Sequence, residues 1–205
     1  MVFTLEKNIL GMPHLLIATF LFTTFLLPVN CGSRVDLSDI QLTHIGAFGL
    51  VRKARTGVPE HLHTGIDIKR PGSNYQFEPI FPIAEGKVIS KRTDGPYAQI
   101  IVEHNLNGLQ FWTLYEHIAG IMVSVGDNVS PHQPIARFMN TAELNRYGWQ
   151  FDHFHLEVLK VSPMRLAPDS NHPERFFSSY SLICYSGEDL KRYYYNPFEF
   201  FKIYL

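Results

Sequence analysis

The sequence contains little cysteine, because Cys31 and Cys184 are the only two among its 205 residues. At most one disulfide can form within the chain, which excludes the small cross-linked scaffolds of many secreted domains. A chain of this length with 45% hydrophobic and 14% aromatic residues can instead bury one ordinary core. We therefore predict a single domain held together by packing, with at most a small appendage.

The sequence also lacks an excess of charge of either sign. Lysine and arginine number 18 against 19 aspartates and glutamates, which gives a formal net charge of -1. Proteins that bind nucleic acids or anionic membrane surfaces generally attract them with an excess of positive charge. We therefore predict that nucleic acid is not a partner.

A third absence is that of an apolar run long enough to cross a bilayer near the start of the chain. The run "LLIATFLFTTFLL" covers residues 15–27, short of the roughly 20 residues that a spanning helix needs. Lys7 before it and Pro28 after it are typical of a signal peptide, predicted over residues 1–31. The sequence before Cys31 resembles a relaxed bacterial lipobox, which leaves a lipid anchor and plain cleavage both open. We expect an exported chain in the periplasm, cell envelope or medium, with membrane contact only through such an anchor.

Short β-rich runs separated by turn residues follow the leader. The runs "GKVIS", "AQIIVEHN", "LQFWTLYEHI" and "DHFHLEVLKV" begin at Gly86, Ala98, Leu109 and Asp152. Their spacing and composition predict a mainly β fold built from antiparallel strands. Near the end of the chain, Asn196 followed by Pro197 predicts the start of a short helix.

The run that begins at Asp152 carries two histidines on one strand. Side chains alternate between the two faces of a strand, so His153, His155 and Glu157 share a face. Two imidazoles on an otherwise apolar strand need a metal ion or a polar network, unless they are a pair of surface histidines. The two histidines alone do not distinguish a metal site or polar network from a pair of surface residues.

The stretch "HLHTGIDIK" places His63 four residues before Asp67, and Gly65 with the two isoleucines favours an extended conformation there. His63, Asp67 and His155 together provide donor atoms of the kind that zinc accepts. Three protein ligands would leave a fourth position open for water, which is the arrangement of a catalytic site. His117, at the end of a strand between the two motifs, is a further imidazole that could meet them.

The motif HExxH does not occur, so the glutamate base of that class of metalloprotease is missing. Protons in a hydrolytic reaction must then be moved by other groups. His117 and His153 are the candidates.

Several further stretches between residues 45 and 160 carry glycines at turn positions: "GAFGLVRKARTG", "AEGKVI", "IIVEHNLNG" and "VSVGDNVSPHQPIA". With "HTGIDI", "WTLYEHI" and "HFHLEV", and in this order, they resemble the lysostaphin-type (LytM-like) zinc endopeptidases, which cleave peptide bonds in bacterial peptidoglycan. The resemblance implies an antiparallel β-sheet or sandwich of the duplicated hybrid motif kind, with the active site in a groove across one sheet. It also implies one zinc ion per chain, with His63, Asp67 and His155 as its ligands.

The resemblance further implies that His117 and His153 are the catalytic imidazoles beside the metal. We assign His153 as the base and His117 as the hydrogen-bond donor to the tetrahedral intermediate, although these roles can be exchanged or shared. Glu157 is expected to orient a ligand histidine, with a role as base left open. Tyr115, next to the His117 motif, is nominated as a substrate-binding residue.

The expected function is hydrolysis of peptide bonds in peptidoglycan by a zinc-activated water, with peptidoglycan peptides as the partner. One alternative is a non-catalytic scaffold or activator of another wall hydrolase, and another is a zinc hydrolase for a different peptide or amide. Relatives without activity lose ligands, whereas all five key positions are present here.

The chain departs from the family pattern in three places, one of which is a turn where His132 replaces the usual glycine. The loop "MNTAELNRYGWQFD" is longer than usual and carries Tyr147 and Trp149, which predicts a different peptide specificity. We divide the chain into a linker over residues 32–42, a peptidase core over 43–162 and an extension over 163–205. The extension contains an insertion and a closing segment, "YYYNPFEFF", that resembles the end of the family's core.

Overall fold

The computed structural model describes residues 39–205. The predicted signal peptide, Cys31 and residues 32–38 of the predicted linker lie outside the described residues. None of the helices in residues 39–205 has the length and apolar character needed to cross a bilayer.

The described residues form short strands and three short α-helices. The strands are β1 (Val51–Arg52), β2 (His61–Leu62), β3 (Ile66–Lys69), β4 (Pro79–Ile80), β5 (Gly86–Arg92), β6 (Gln99–Leu106), β7 (Leu109–Glu116), β8 (Asn128–Val129), β9 (Ala136–Arg137), β10 (His153–Leu159), β11 (Met164–Arg165), β12 (Phe177–Ser178) and β13 (Tyr194–Tyr195). The helices are α1 (Thr141–Tyr147), α2 (Gly187–Tyr193) and α3 (Pro197–Tyr204).

One antiparallel sheet of seven strands organises the fold. Its order is β13, β10, β7, β6, β5 and β8, and β3 pairs with the first half of β10. The remaining strands form two-stranded ribbons. The prediction of a mainly β, antiparallel fold is therefore confirmed, and the four β-rich runs of the sequence correspond to β5, β6, β7 and β10.

The first face of the sheet carries the main hydrophobic core. Ile100, Tyr115 and Leu156 are cross-strand neighbours on this face, and each is at most 1% exposed. Burying such side chains contributes roughly 1.5–3 kcal/mol each. Helix α3 packs Phe200 and Phe201 into the same core, so the end of the chain closes this side of the domain.

The start of α3 agrees with the sequence prediction. The Asn196 side chain accepts a hydrogen bond from the Phe198 amide at 3.1 Å, and Pro197 is the first helical residue. Asparagine at this position satisfies an amide that the helix itself cannot pair. The predicted C-terminal helix is confirmed.

The second face of the sheet is divided between an apolar half and a polar half. In the apolar half, Ile101, Leu114 and Leu159 pack against Cys184 and Tyr194 of the extension. In the polar half, a row of cross-strand neighbours runs from β3 to β6 and consists of Asp67, His155, Glu116 and Gln99. The extension therefore covers one half of this face and leaves the polar row beside it.

Candidate metal centre and active site

Three donor atoms converge at the edge of the polar row. Asp67 on β3 lies directly opposite His155 on β10, and His63 reaches them from the segment before β3. His63 Nε2 lies 3.0 Å from both Asp67 Oδ1 and His155 Nδ1, and His155 Nδ1 lies 2.9 Å from Asp67 Oδ1. The three side chains are buried, and their donor atoms form a nearly equilateral triangle.

In each of the two imidazoles, the nitrogen that points away from Asp67 makes a hydrogen bond, and this bond fixes which nitrogen can carry the lone pair. His63 Nδ1 donates to the Ala47 carbonyl at 2.9 Å, and His155 Nε2 donates to Glu157 Oε1 at 3.2 Å. When both rings are neutral, as metal ligands must be, His63 Nε2 and His155 Nδ1 carry lone pairs and no protons. Both lone pairs face each other and the Asp67 carboxylate, an arrangement that a cation between them would stabilise.

The dimensions of this triangle fit a divalent metal ion. Zinc bound tetrahedrally at about 2.0–2.1 Å holds its ligand atoms about 3.3 Å apart. The observed separations of 2.9 to 3.0 Å need only a small expansion to reach that value. Two imidazole nitrogens and one carboxylate oxygen are also a donor set found in catalytic zinc sites.

Arg52 holds the second oxygen of the aspartate. Its Nη2 donates to Asp67 Oδ2 at 2.7 Å, so only Oδ1 faces the histidines. Burial alone would raise the pKa of Asp67, but hydrogen bonds with His155 and His63 hold that pKa far below its usual range. Asp67 is therefore ionised and offers a single oxygen. No spacing pattern in the sequence pointed to Arg52.

Glu157 lies behind His155, in the position predicted for a residue that orients this histidine. Its Oε1 accepts hydrogen bonds from His155 Nε2 and from Thr64 Oγ1, and the residue is 1% exposed. Burial alone would lower the pKa of His155, but its hydrogen bonds to Asp67 and Glu157 outweigh burial and raise the pKa to about 10. Without a metal this ring therefore carries a proton on each nitrogen near pH 7, and a bound metal ion would displace the proton on Nδ1. These contacts suit a group that orients His155 rather than one that meets a substrate.

The two predicted catalytic histidines lie beside this triangle. His117 follows β7 with a φ of 62, a left-handed conformation that is uncommon outside glycine. Its ring centroid is 5.1 Å from that of His153 and 6.4 Å from that of His155. His153 Nε2 lies 3.8 Å from Asp67 Oδ1. The structure thus brings all five predicted polar residues together.

The hydrogen bond of His117 bears on its chemical role. His117 Nδ1 donates to the Pro96 carbonyl at 2.6 Å, because a carbonyl oxygen can only accept. Burial lowers the pKa of His117 to about 3, so the ring is neutral near pH 7. Its Nε2 then carries a lone pair that can accept a proton. Burial also lowers the pKa of His153, so the hydrogen bond from His117 Nδ1 to Pro96, rather than neutrality, favours the exchanged assignment that the sequence left open.

Tyr115 does not line this site, and its nomination as a substrate-binding residue is corrected. Its side chain is fully buried in the main core, where its hydroxyl accepts a hydrogen bond from the Ile83 amide at 2.9 Å. Glu116, the next residue on β7, faces the polar row instead. Strand alternation from His117 would have placed Tyr115 on the same face as the site, but His117 follows the end of β7 in a left-handed conformation, so the alternation does not extend to it.

Comparison with known proteins gives a family match. The sequence model of peptidase family M23 matches residues 61–167, a range that includes all five converging residues but not Arg52. None of the curated proteins matches the chain.

Several solved structures resemble the chain. The catalytic domain of the antimicrobial peptidase lysostaphin from Staphylococcus simulans is 20% identical, with a TM-score of 0.47, and the alignment covers 83% of this chain and 98% of that one. A zinc-containing peptidase from Vibrio cholerae is 29% identical, with a TM-score of 0.41, over 58% of this chain and 32% of that one. A complex of SpoIIIAH and SpoIIQ contains a chain that is 20% identical, with a TM-score of 0.44, over 62% of this chain and 88% of that one.

Proposed function

This chain belongs to peptidase family M23, and we propose that it is an exported zinc endopeptidase that hydrolyses peptide bonds in bacterial peptidoglycan. The observation that carries the proposal is the convergence of two imidazole nitrogens and one carboxylate oxygen within 3.0 Å of one another. Without a metal, imidazole protons hold these atoms together through hydrogen bonds to Asp67, and a divalent cation can take the place of those protons. The proposed cation is one zinc ion per chain.

The proposed ligands are His63 Nε2, Asp67 Oδ1 and His155 Nδ1. A zinc ion held by these atoms would supply Lewis acidity toward a carbonyl oxygen and would activate water for attack. The hydrogen bonds behind each ligand keep its lone pair directed inward, as outer contacts do in other metal sites. Arg52 keeps Asp67 from offering its second oxygen, so the aspartate would hold the ion through Oδ1 alone.

The proton transfers are assigned to the two remaining histidines. His117 is neutral, is held by the Pro96 carbonyl, and has a free Nε2, so we assign it to take the proton from the attacking water and deliver it to the leaving amine. The ring of His153 lies against that of His117. We assign it to hydrogen-bond the negative charge that develops on the carbonyl oxygen.

Digestion of purified peptidoglycan tests this proposal. The protein is expected to release fragments with new peptide termini, to stop when a chelator removes the metal, and to resume when zinc is restored. Mass spectrometry of the fragments identifies the cleaved bond from those termini. The matched control is the same digestion with heat-inactivated protein.

Two other outcomes would contradict the proposal. Stoichiometric zinc binding without cleavage would indicate a non-catalytic scaffold or an activator of another wall hydrolase. Cleavage of unrelated peptides with peptidoglycan left intact would indicate a zinc hydrolase with a different substrate.

A further inference from the structure

Two pairs of aromatic rings flank the start of β10, and we call Tyr75, Trp149, Tyr97 and Phe151 the aromatic rim. Trp149 and Phe151 belong to one turn immediately before His153. The Trp149 ring contacts Tyr75, which follows β3, with centroids 5.6 Å apart. The Phe151 ring contacts Tyr97 at 5.8 Å and His117 at 4.9 Å, on the side of β7. The aromatic rim is therefore continuous with the catalytic histidines.

The outer part of the aromatic rim is exposed although its rings are large and apolar. Trp149 is 51% exposed and Tyr97 is 43% exposed. Exposed aromatic rings that cluster beside a site commonly mark a surface that binds a ligand.

Hydrogen bonds with α1 and with residues that follow β3 hold the aromatic rim in place. Trp149 Nε1 donates to Asn145 Oδ1 on α1 at 3.0 Å. Asp152 accepts from Arg70 Nε at 2.9 Å and from the Tyr75 hydroxyl at 3.2 Å. A surface ordered in this way before binding loses little conformational entropy when a ligand arrives.

The side chains around Trp149 indicate the class of ligand. Asn145 and Gln150 are exposed amides beside Trp149 in the chain, and Asn145 Oδ1 accepts the hydrogen bond of the indole. The two nearby guanidinium groups lie over tyrosine rings, Arg146 at 5.3 Å from the Tyr147 centroid and Arg70 at 4.5 Å from the Tyr75 centroid. A flat apolar face bordered by hydrogen-bonding amides complements a sugar ring, which has an apolar face and a polar edge.

We propose that the aromatic rim binds the glycan strand of the substrate, with a sugar ring stacked on Trp149. This inference rests on the proposed function, because peptidoglycan joins its peptides to such a strand. Binding of the glycan beside His153 would position the attached peptide in the groove. Trp149 is then a binding residue for the sugar and takes no part in the chemical step.

Tryptophan fluorescence tests the proposal without requiring cleavage, so failure of hydrolysis would not affect its result. The chain has two tryptophans, and the other, Trp112, is 7% exposed. Titration with an uncharged N-acetylglucosamine oligosaccharide is expected to change the fluorescence saturably. Trp149→Phe should weaken binding measured by calorimetry by about three- to tenfold. Tyr185→Ala, which removes a ring that is 54% exposed outside the rim, should leave binding unchanged.

Two results would overturn the assignment. The first is the absence of a saturable fluorescence change when the wild-type protein is titrated with the oligosaccharide. An oligosaccharide affinity of Trp149→Phe equal to that of the wild type, measured by calorimetry, would have the same meaning. The second is a response that depends on Trp149 when the probe is a sugar-free stem peptide and is absent with the oligosaccharide. That result would make the rim a peptide subsite.

Discussion

Replacement of His117 with asparagine should lower the turnover number on cross-linked peptidoglycan by about 10²- to 10⁴-fold, the usual contribution of a general acid or base. Asparagine tolerates the left-handed backbone conformation at this position but cannot carry a proton between water and an amine. Zinc binding should be unchanged, because His117 is not one of the three converging donors. Steady-state release of soluble fragments, together with the zinc content of the purified variant, measures both effects.

The exposed His132 provides the matched control for this substitution. His132→Asn changes the same side chain on a turn away from the site and should leave turnover and zinc content at the wild-type values. If His117→Asn kept full activity, the assignment of the proton transfers would be wrong. If it lost zinc, His117 would belong with the ligands.

Replacement of Asp67 with asparagine should remove most of the affinity for zinc and abolish hydrolysis. The substitution keeps the shape of the side chain but replaces the ionised oxygen donor with a neutral amide. The loss of affinity should exceed the roughly 10- to 100-fold effect that is usual for a contact behind a ligand. Competition with a chromophoric chelator measures the affinity, and circular dichroism checks that the β fold persists.

Arg52→Gln is the graded comparison for that experiment. It leaves Asp67 in place and removes only the charged partner of Oδ2. We expect zinc affinity to fall by about 10- to 100-fold and the metal to remain at high zinc concentration. Equal affinities in Asp67→Asn and the wild type would show that Asp67 is not a ligand.

The local geometry of β10 could be predicted from the sequence because strand alternation is a short-range rule. His155 and Glu157 share a face, as expected, and their hydrogen bond follows from that placement. The meeting of Asp67 with His155 joins residues 88 positions apart. No local pattern specifies such a pairing, so that prediction depended on the family resemblance.

The helix α1 was missed although its signal was present in the sequence. Asn140 and Glu143 form a reciprocal capping box, in which each side chain accepts a hydrogen bond from the backbone amide of the other residue. The comparison with shorter family loops led to a loop prediction for this segment. Its helix supports Trp149 through Asn145, so the missed element belongs to the aromatic rim.

No pattern in the sequence predicted that the extension covers half of the second face of the sheet. Cys184 and Tyr194 are buried against Leu114 and Leu159, contacts between segments far apart in the chain. The short runs of apolar residues in residues 163–193 indicate that some of these side chains are buried, but they do not indicate which surface they pack against. Long-range packing of this kind follows from the fold as a whole rather than from local periodicity.

The position of a bound metal tests the central claim most directly. Crystals of the wild-type protein grown with zinc should give one anomalous peak per chain, within about 2.0–2.2 Å of His63 Nε2, Asp67 Oδ1 and His155 Nδ1. A zinc ion bound elsewhere, or the absence of a peak at these three atoms in zinc-saturated protein, would contradict the account.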